Sequence, residues 1–215
     1  AFGPETLLAY EGGIKATLAR GFIVNASAFY YDYKDYQAFT YTPGSISGFT
    51  TNRDARSIGF ELEAQARPTS RLSLSAGLAY IDAKVKDVGV SPGIVLDRKP
   101  AFTPDLQLSG SIRYEVPNVI AGGSLAFQAN GRYSSDTYYN IQNFDSQRLN
   151  AHAIGNLRVS WQSADEMWEI AAFANNFTNS RNEIQGFDFS TLCGCSEIAY
   201  GKPRWFGVQA RRTLW

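Results

Sequence analysis

Short and long connections alternate down this chain, and every short one falls on the same side of the runs that it joins. The strand-like runs are Leu7 to Ala19, Phe22 to Phe39, Thr51 to Arg67, Arg71 to Lys84, Thr103 to Val116, Gly122 to Tyr139, Arg148 to Gln162, Met167 to Phe177 and Lys202 to Trp215. Between them, Arg20-Gly21, Pro68 to Ser70, Pro117 to Ala121 and Ser163 to Glu166 are tight, while Thr40 to Phe49, Val85 to Pro100, Asn140 to Gln147 and Thr178 to Gly201 are long. Tight turns on one rim and long loops on the other is the asymmetry of an outer-membrane barrel wall, whose short turns face the periplasm.

Each run carries a period of two, as a strand with unlike faces must. Leu106, Leu108, Gly110, Ile112, Tyr114 and Val116 oppose Gln107, Ser109, Ser111, Arg113 and Glu115. Ile58, Phe60, Leu62, Ala64 and Ala66 oppose Ser57, Gly59, Glu61, Glu63 and Gln65, and Leu72, Leu74, Ala76, Leu78 and Tyr80 oppose Ser73, Ser75 and Gly77. Charges thus sit out of phase with the aliphatics. A bilayer demands this, because a charge on the lipid face near the midplane costs roughly 2–4 kcal/mol. The expected fold is an all-β antiparallel transmembrane barrel wall of about nine strands.

Composition narrows the alternatives. At 44% hydrophobic and 19% charged residues, the chain has no run of about 18 apolar residues, which excludes a spanning helix. Tyr30, Tyr31, Tyr33, Tyr36, Tyr80, Tyr138, Tyr139, Trp161 and Trp168 fall near run ends, where aromatic girdles meet headgroups. Zero formal net charge with both signs interspersed gives no footprint for nucleic acid. Ala1-Phe2-Gly3-Pro4 is unlike a signal peptide.

Strand direction bears on completeness. The first run ends at Arg20-Gly21 and the last ends on the same rim, so the first starts on the long-loop side. Bacterial single-chain barrels have an even strand count with short turns on the periplasmic side, and an open edge in lipid is prohibitively costly. The expectation is therefore a piece of a larger barrel that closes with further strands or with a complementary chain.

Local patterns add a family. Pro4-Glu5 with Tyr10-Glu11-Gly12-Gly13-Ile14-Lys15, then Asn25 through Asp35, then Asn52, Ala55, Ser57, Gly59 and Glu61 follow one another in the chain. After them come Pro100 and Pro104, Asn175-Asn176-Phe177-Thr178-Asn179, and Tyr200-Gly201-Lys202-Pro203-Arg204 with Gly207. Together and in this order they resemble the C-terminal barrel half of TonB-dependent outer-membrane receptors. One departure is that Trp215 falls out of phase with Phe206, Val208, Ala210, Arg212 and Leu214, where such receptors commonly end on an in-phase aromatic.

The resemblance implies that residues 1–215 are the C-terminal portion of a barrel of about 22 strands, with the family's plug domain outside these residues. It implies energised uptake of a scarce solute such as a ferric siderophore, haem, cobalamin or oligosaccharide, at the outer membrane of a Gram-negative bacterium. The implied partners are outer-membrane lipid, the plug and remaining strands, the TonB energy-coupling complex acting through the plug, and a small-molecule substrate. No cofactor and no bond chemistry are implied. A passive or structural barrel shares the alternation, and a soluble ligand-binding barrel would instead turn the aliphatics inward.

Catalytic and metal chemistry find little purchase. His152 is the single histidine, which leaves no His-rich metal site and only one ring to assist a nucleophile. Glu61 and Glu63 share a face about 7 Å apart by strand rise, a spacing that ordinary lumen carboxylates also have. Gly12-Gly13-Ile14-Lys15 lacks phosphate-loop spacing.

Solute preference is expected in the external loops. Tyr41, Tyr138, Tyr139, Phe144 and Phe187 offer aromatic faces for stacking, and Arg53 and Arg181 offer guanidinium forks for anions. Cys193-Gly194-Cys195 lies in the longest loop, where an oxidising exterior favours a local disulfide that stiffens the tip; free thiols, a cross-chain bond or a redox role stay open.

Overall fold

The computed structural model describes residues 2–41, 48–189 and 193–214. Among them, nine strands form one antiparallel meander, each bonded to the next: β1 (Thr6–Ala19), β2 (Phe22–Tyr41), β3 (Gly48–Thr69), β4 (Leu72–Ser91), β6 (Leu106–Val116), β7 (Ser124–Ser134), β10 (His152–Gln162), β11 (Trp168–Asn175) and β14 (Trp205–Arg212). Three hairpin elements rise from the long-loop rim. β5 (Ile94–Arg98) folds back on β4, β8 (Thr137–Tyr138) pairs with β9 (Arg148–Leu149), and β12 (Glu183–Phe189) pairs with β13 (Cys195–Tyr200). β1 and β14 lie at opposite ends of the strand order, so the sheet is open.

The register carries the two faces across strand after strand. Phe22, Ala66, Leu74, Ile112, Ala129, Leu157, Ala174 and Phe206 are successive cross-strand partners from β2 to β14, and none is polar. The neighbouring row reads Gln65, Ser75, Ser111, Asn130 and Asn156. Aliphatics are not gathered into a dry centre: Ile14 is 69% exposed and Val208 77%. Arg158 on β10 reaches past β11 to Gln209 on β14 (3.1 Å). Cavities lined by Glu11, Ser57, Gln107, Arg132 and Asn156 open on this polar face, which is therefore the inner, concave face of the wall.

The apolar band has edges. Eight residue steps from Leu72 to Tyr80 span about 27 Å at the antiparallel rise, close to the roughly 25 Å band of such barrels. Tyr10 and Tyr30 (6.4 Å between ring centroids) and Phe60 and Tyr80 (5.8 Å) mark its outer edge. Beyond them the same phase turns charged, with Lys34 bonded to Asp54 at 2.9 Å. At the inner edge, the Arg212 guanidinium lies 5.3 Å from the ring centroid of Trp168. Tyr31, Tyr33 and Tyr36 depart from the girdle expectation. They belong to the opposite phase of β2 or follow its bulge, and they line an inward cavity. Tyr138 and Tyr139 lie in the β8–β9 region, away from the wall.

Turn chemistry fixes the short-turn rim. Gly21 has φ +76°, and a Cβ there would lie 2.9 Å from the Arg67 carbonyl oxygen, so both backbone conformation and space require glycine. Thr69 Oγ1 accepts from the amides of Arg71 (3.2 Å) and Leu72 (3.1 Å). Asp165 Oδ1 accepts the Met167 amide at 3.0 Å, and these bonds to its carboxylate hold its pKa below the ordinary range, with the Ser163 hydroxyl the larger cause.

Several boundaries differ from the periodic reading. The stretch Val85 to Pro100, expected as loop, is mostly the β4–β5 hairpin: a bulge between Val85 and Val88, with Asp87 at φ 53°, shifts the alternation there. Val85 and Val88 then bury with Ala38, Ala55 and Ile141 into a small core above the band. The expected loop Thr178 to Gly201 holds the β12–β13 hairpin. The run Gly122 to Tyr139 stops at Ser134, Arg148 to Gln162 resumes at His152 after a break, and the last strand ends at Arg212. Trp215 lies outside the described residues.

Candidate functional site

The inner face is polar through hydrogen-bonded networks that the strand register assembles. Glu169 on β11 accepts from Arg158 on β10 (2.7 Å) and pairs with Arg211 on β14 (3.2 Å) near the short-turn rim. Asn156 Nδ2 donates to Asn130 Oδ1 (2.8 Å), and Asn156 Oδ1 accepts the Asn176 amide (2.9 Å). Asn176, 4% exposed, then donates to the carbonyls of Ser180 (2.9 Å) and Lys202 (3.1 Å). The amide chain therefore anchors both ends of the segment that bears the β12–β13 hairpin.

Three cavities open on this face toward the long-loop rim. The first, about 450 Å³, is lined by Glu11, Phe29, Tyr31, Tyr33, Tyr36 and Ser57 among others. Phe29 stacks on Tyr31 at 4.8 Å, and the Tyr31 hydroxyl donates to Glu11. The second, about 580 Å³, lies between Glu61, Glu63, Gln107, Arg132 and His152 on the wall and Asn182, Glu183 and Ile184 at the hairpin base. The third, about 500 Å³, shares Arg132, Asn182 and Ile184 with it and adds Asn175, Lys202 and Trp205. These volumes suit small molecules rather than macromolecules.

The loop residues read from sequence fall elsewhere. Tyr41 ends β2, and its side chain is outside what is described. Arg53 on β3 lies opposite Tyr36, and its Nη1 donates to the Asn52 carbonyl (3.4 Å). Tyr139 is 8% exposed and its hydroxyl donates to the Ser146 carbonyl (3.0 Å), while a Cβ at Gly186 would come within 2.2 Å of its ring. That close approach makes Tyr139 part of a packed joint between loops. Tyr138 pairs with Arg148, Phe144 begins the short turn before β9, Arg181 is exposed, and Phe187 stacks on Phe189 at 6.1 Å. Tyr41 apart, none of these residues lines the three cavities. Cys193 and Cys195 form a disulfide beside the start of β13.

His152 begins β10, its Nδ1 3.3 Å from the Asn150 carbonyl oxygen, and it lines the second cavity. Among the described residues no three His, Cys, Asp or Glu side chains cluster as a metal site would require. The sequence singled out neither Arg132 nor Trp205; both line the third cavity. Asn182 lies in what read as loop and Lys202 opens the last strand-like run, and the third cavity is lined by all four.

An open meander with one lipid-compatible face, one polar face and hairpins on one rim is the geometry of the wall of an outer-membrane-type barrel. The family model described as TonB dependent receptor-like, beta-barrel matches residues 1–177. The chain belongs to this family. A curated relative, the metal-pseudopaline receptor CntO of Pseudomonas aeruginosa, is 34% identical over 108 residues, covering 49% of this chain and 15% of the relative. Among solved structures, the ferric yersiniabactin uptake receptor FyuA of Yersinia pestis aligns over 100% of this chain and 31% of its own, with TM-score 0.81 and 19% identity. The copper transporter OprC aligns over 99% of this chain and 32% of its own, with TM-score 0.74 and 19% identity. At such identity the two structures speak to fold alone. The chain spans about a third of their length, which agrees with an unclosed wall.

Proposed function

We propose that residues 1–215 form the C-terminal part of the barrel wall of an outer-membrane receptor of a Gram-negative bacterium, one that takes up a scarce metal chelate by energised transport. The observation that carries this reading is the family match over residues 1–177. The wall itself supports it: apolar rows suit lipid, while the inner face presents cavities of small-molecule size beneath the external hairpins. The relative's name, metal-pseudopaline receptor, favours a metal chelate over haem, cobalamin or an oligosaccharide. In the whole receptor a plug domain would occupy the lumen, and the TonB complex would act on that plug. The wall residues do no bond chemistry in this scheme; they bind, orient and release.

The test is uptake of radiolabelled iron, nickel and zinc supplied as chelates to cells with and without the gene for the whole receptor, in backgrounds with and without TonB. Receptor-dependent uptake that vanishes without TonB is the expected result. Receptor-dependent flux that persists without TonB would mark a passive pore instead.

A further inference from the structure

Above the apolar band, the outward phase of β2, β3 and β4 turns charged at one level. Asp32 on β2 faces Arg56 on β3, and Arg56 faces Lys84 on β4, so the three stand side by side in one row. That row lies two residue steps, about 7 Å, beyond the facing pair Tyr30 and Ile58, where an aromatic girdle meets headgroups. The outward phases of β6, β7 and β10 carry no charge as far as their upper ends at Leu106, Tyr133 and Ala153. The charge is therefore a local patch and not the general end of the band.

Its cations outnumber the acids left to meet them. Lys34 engages two of the three acids of the patch, at 2.9 Å from Asp54 and 3.9 Å from Asp32. Arg56, Lys84 and Lys86 make no ion pair and no side-chain hydrogen bond among the described residues, and Asp82 is the one further acid on this face of the wall. Lys86 is near enough for its charge to act on Asp54, which sets it over the same face, ahead of the left-handed turn at Asp87. The first cavity runs along three consecutive residues at 55–57, as it does at 27–29, so Arg56 meets it through backbone while its side chain keeps the outward phase of Ile58.

Cations at the boundary of the hydrocarbon attract anionic headgroups. A guanidinium beside two ammonium groups suits the several oxygens of a phosphate. The rings below supply a second hold, since Tyr30 and Tyr80 are 40% and 42% exposed on the same outward face and an aromatic face packs well on a sugar ring. A phosphate that reaches this patch with an apolar body in the band beneath it belongs to a lipid.

We propose that Arg56, Lys84 and Lys86 form a binding site on the lipid side of the wall for the phosphate of a glycolipid in the outer leaflet, with Tyr30 and Tyr80 packed against its sugar. The inference rests on the lipid facing of the apolar phase and not on transport, so it goes beyond the uptake reading.

The experiment uses the whole receptor, delipidated in mild detergent and titrated with bisphosphorylated lipid A, with its dephosphorylated form and with inorganic phosphate, bound lipid being counted by native mass spectrometry. Variants are Arg56→Gln, Lys84→Gln, Lys86→Gln, the three combined, Lys84→Arg, and Arg204→Gln as an isolated cation just before β14. Heat-modifiable migration confirms that each barrel is assembled. The expected result is one bisphosphorylated lipid retained per receptor, with affinity weakened about fivefold by each single glutamine and about a hundredfold by the three together. Lys84→Arg and Arg204→Gln should bind as the unaltered receptor does, and removal of the phosphates from the lipid should weaken binding as the combined variant does. Equal retention by the combined variant, or equal retention of the dephosphorylated lipid, would overturn the site. So would an effect of Arg204→Gln as large as the others, which would mark diffuse charge. Displacement of the lipid by millimolar inorganic phosphate would show a free-anion site instead. Loss of the lipid on adding a chelator of divalent cations would show a metal bridge to the acids, and the assignment to the three cations would fall. Transport has no part in this readout, so failure of the uptake reading would leave it untouched.

Discussion

Gln147 and Asp188 stand 41 positions apart and are joined by a 3.0 Å hydrogen bond from Gln147 Nε2 to Asp188 Oδ2. Ser146 Oγ donates to the same carboxylate oxygen at 2.9 Å, and Gln147 is 2% exposed. Together they fasten the β12–β13 hairpin to the turn before β9. A hydrogen bond to a charged group contributes about 1.5–3 kcal/mol. Gln147→Leu should therefore raise amide hydrogen exchange across 183–189 and 195–200 while the wall strands stay protected. Unchanged exchange in the hairpin would show that this joint does not hold it.

Gly21 tests the short-turn rim. Its positive φ and the approach of the Arg67 carbonyl oxygen mean that Gly21→Val strains the backbone by about 1–3 kcal/mol before any clash is counted. Assembled barrel, read as the heat-modifiable fraction in the outer membrane, should fall. Arg20→Ala, which keeps the glycine, should leave it unchanged.

The Lys34–Asp54 pair gives a pH signature outside the membrane band. The Lys34 hydrogen bond holds the Asp54 carboxyl below its ordinary value, and the bond to Asp54 raises the Lys34 amine above its own. A depressed acid contributes stability that is present above its unfolded value and lost as pH falls through its folded value. A raised amine contributes below its unfolded value and loses that contribution as pH rises through its folded value. Limited proteolysis of the β2–β3 extension should accelerate at both extremes and stay flat between them. Asp54→Asn should remove the acid limb. Both groups are solvent-exposed, so the effect is small and sensitive to salt.

Reducing the Cys193–Cys195 bond bears only on the hairpin. Maleimide labelling of the whole receptor on intact cells should require prior treatment with a reductant. Labelling without reductant would show the thiols to be free.

The wall was legible in the sequence because its physics is local. Across Leu106–Val116 no bulge interrupts the period of two, and the solvent on each side differs, so the two phases separate cleanly. The same rule, applied residue by residue, sends Tyr30 to the lipid side and Tyr31 inward; grouping them as girdle aromatics ignored their opposite phases. Above the membrane that logic weakens. The bulge near Asp87 exchanges faces, and Val85 and Val88 pack on a core built from three other segments, which no single window contains. The paired carboxylates Glu61 and Glu63 were visible as neighbours on one face, whereas Arg132 and Lys202 are 70 positions apart and meet only after the chain has crossed the wall and returned. Burial of the Gln147 amide likewise depends on the hairpin that docks over it.

The facing of the aliphatic phase can be measured directly. Single cysteines at Leu108, Ser109, Ile112 and Ser111 in the whole receptor, spin-labelled and reconstituted in lipid, report collisions with oxygen, which partitions into hydrocarbon, and with a water-soluble nickel chelate. The account predicts that labels at 108 and 112 collide mainly with oxygen and that those at 109 and 111 are shielded from it, with a period of two. Equal accessibility in both phases, or oxygen favouring 109 and 111, would contradict it.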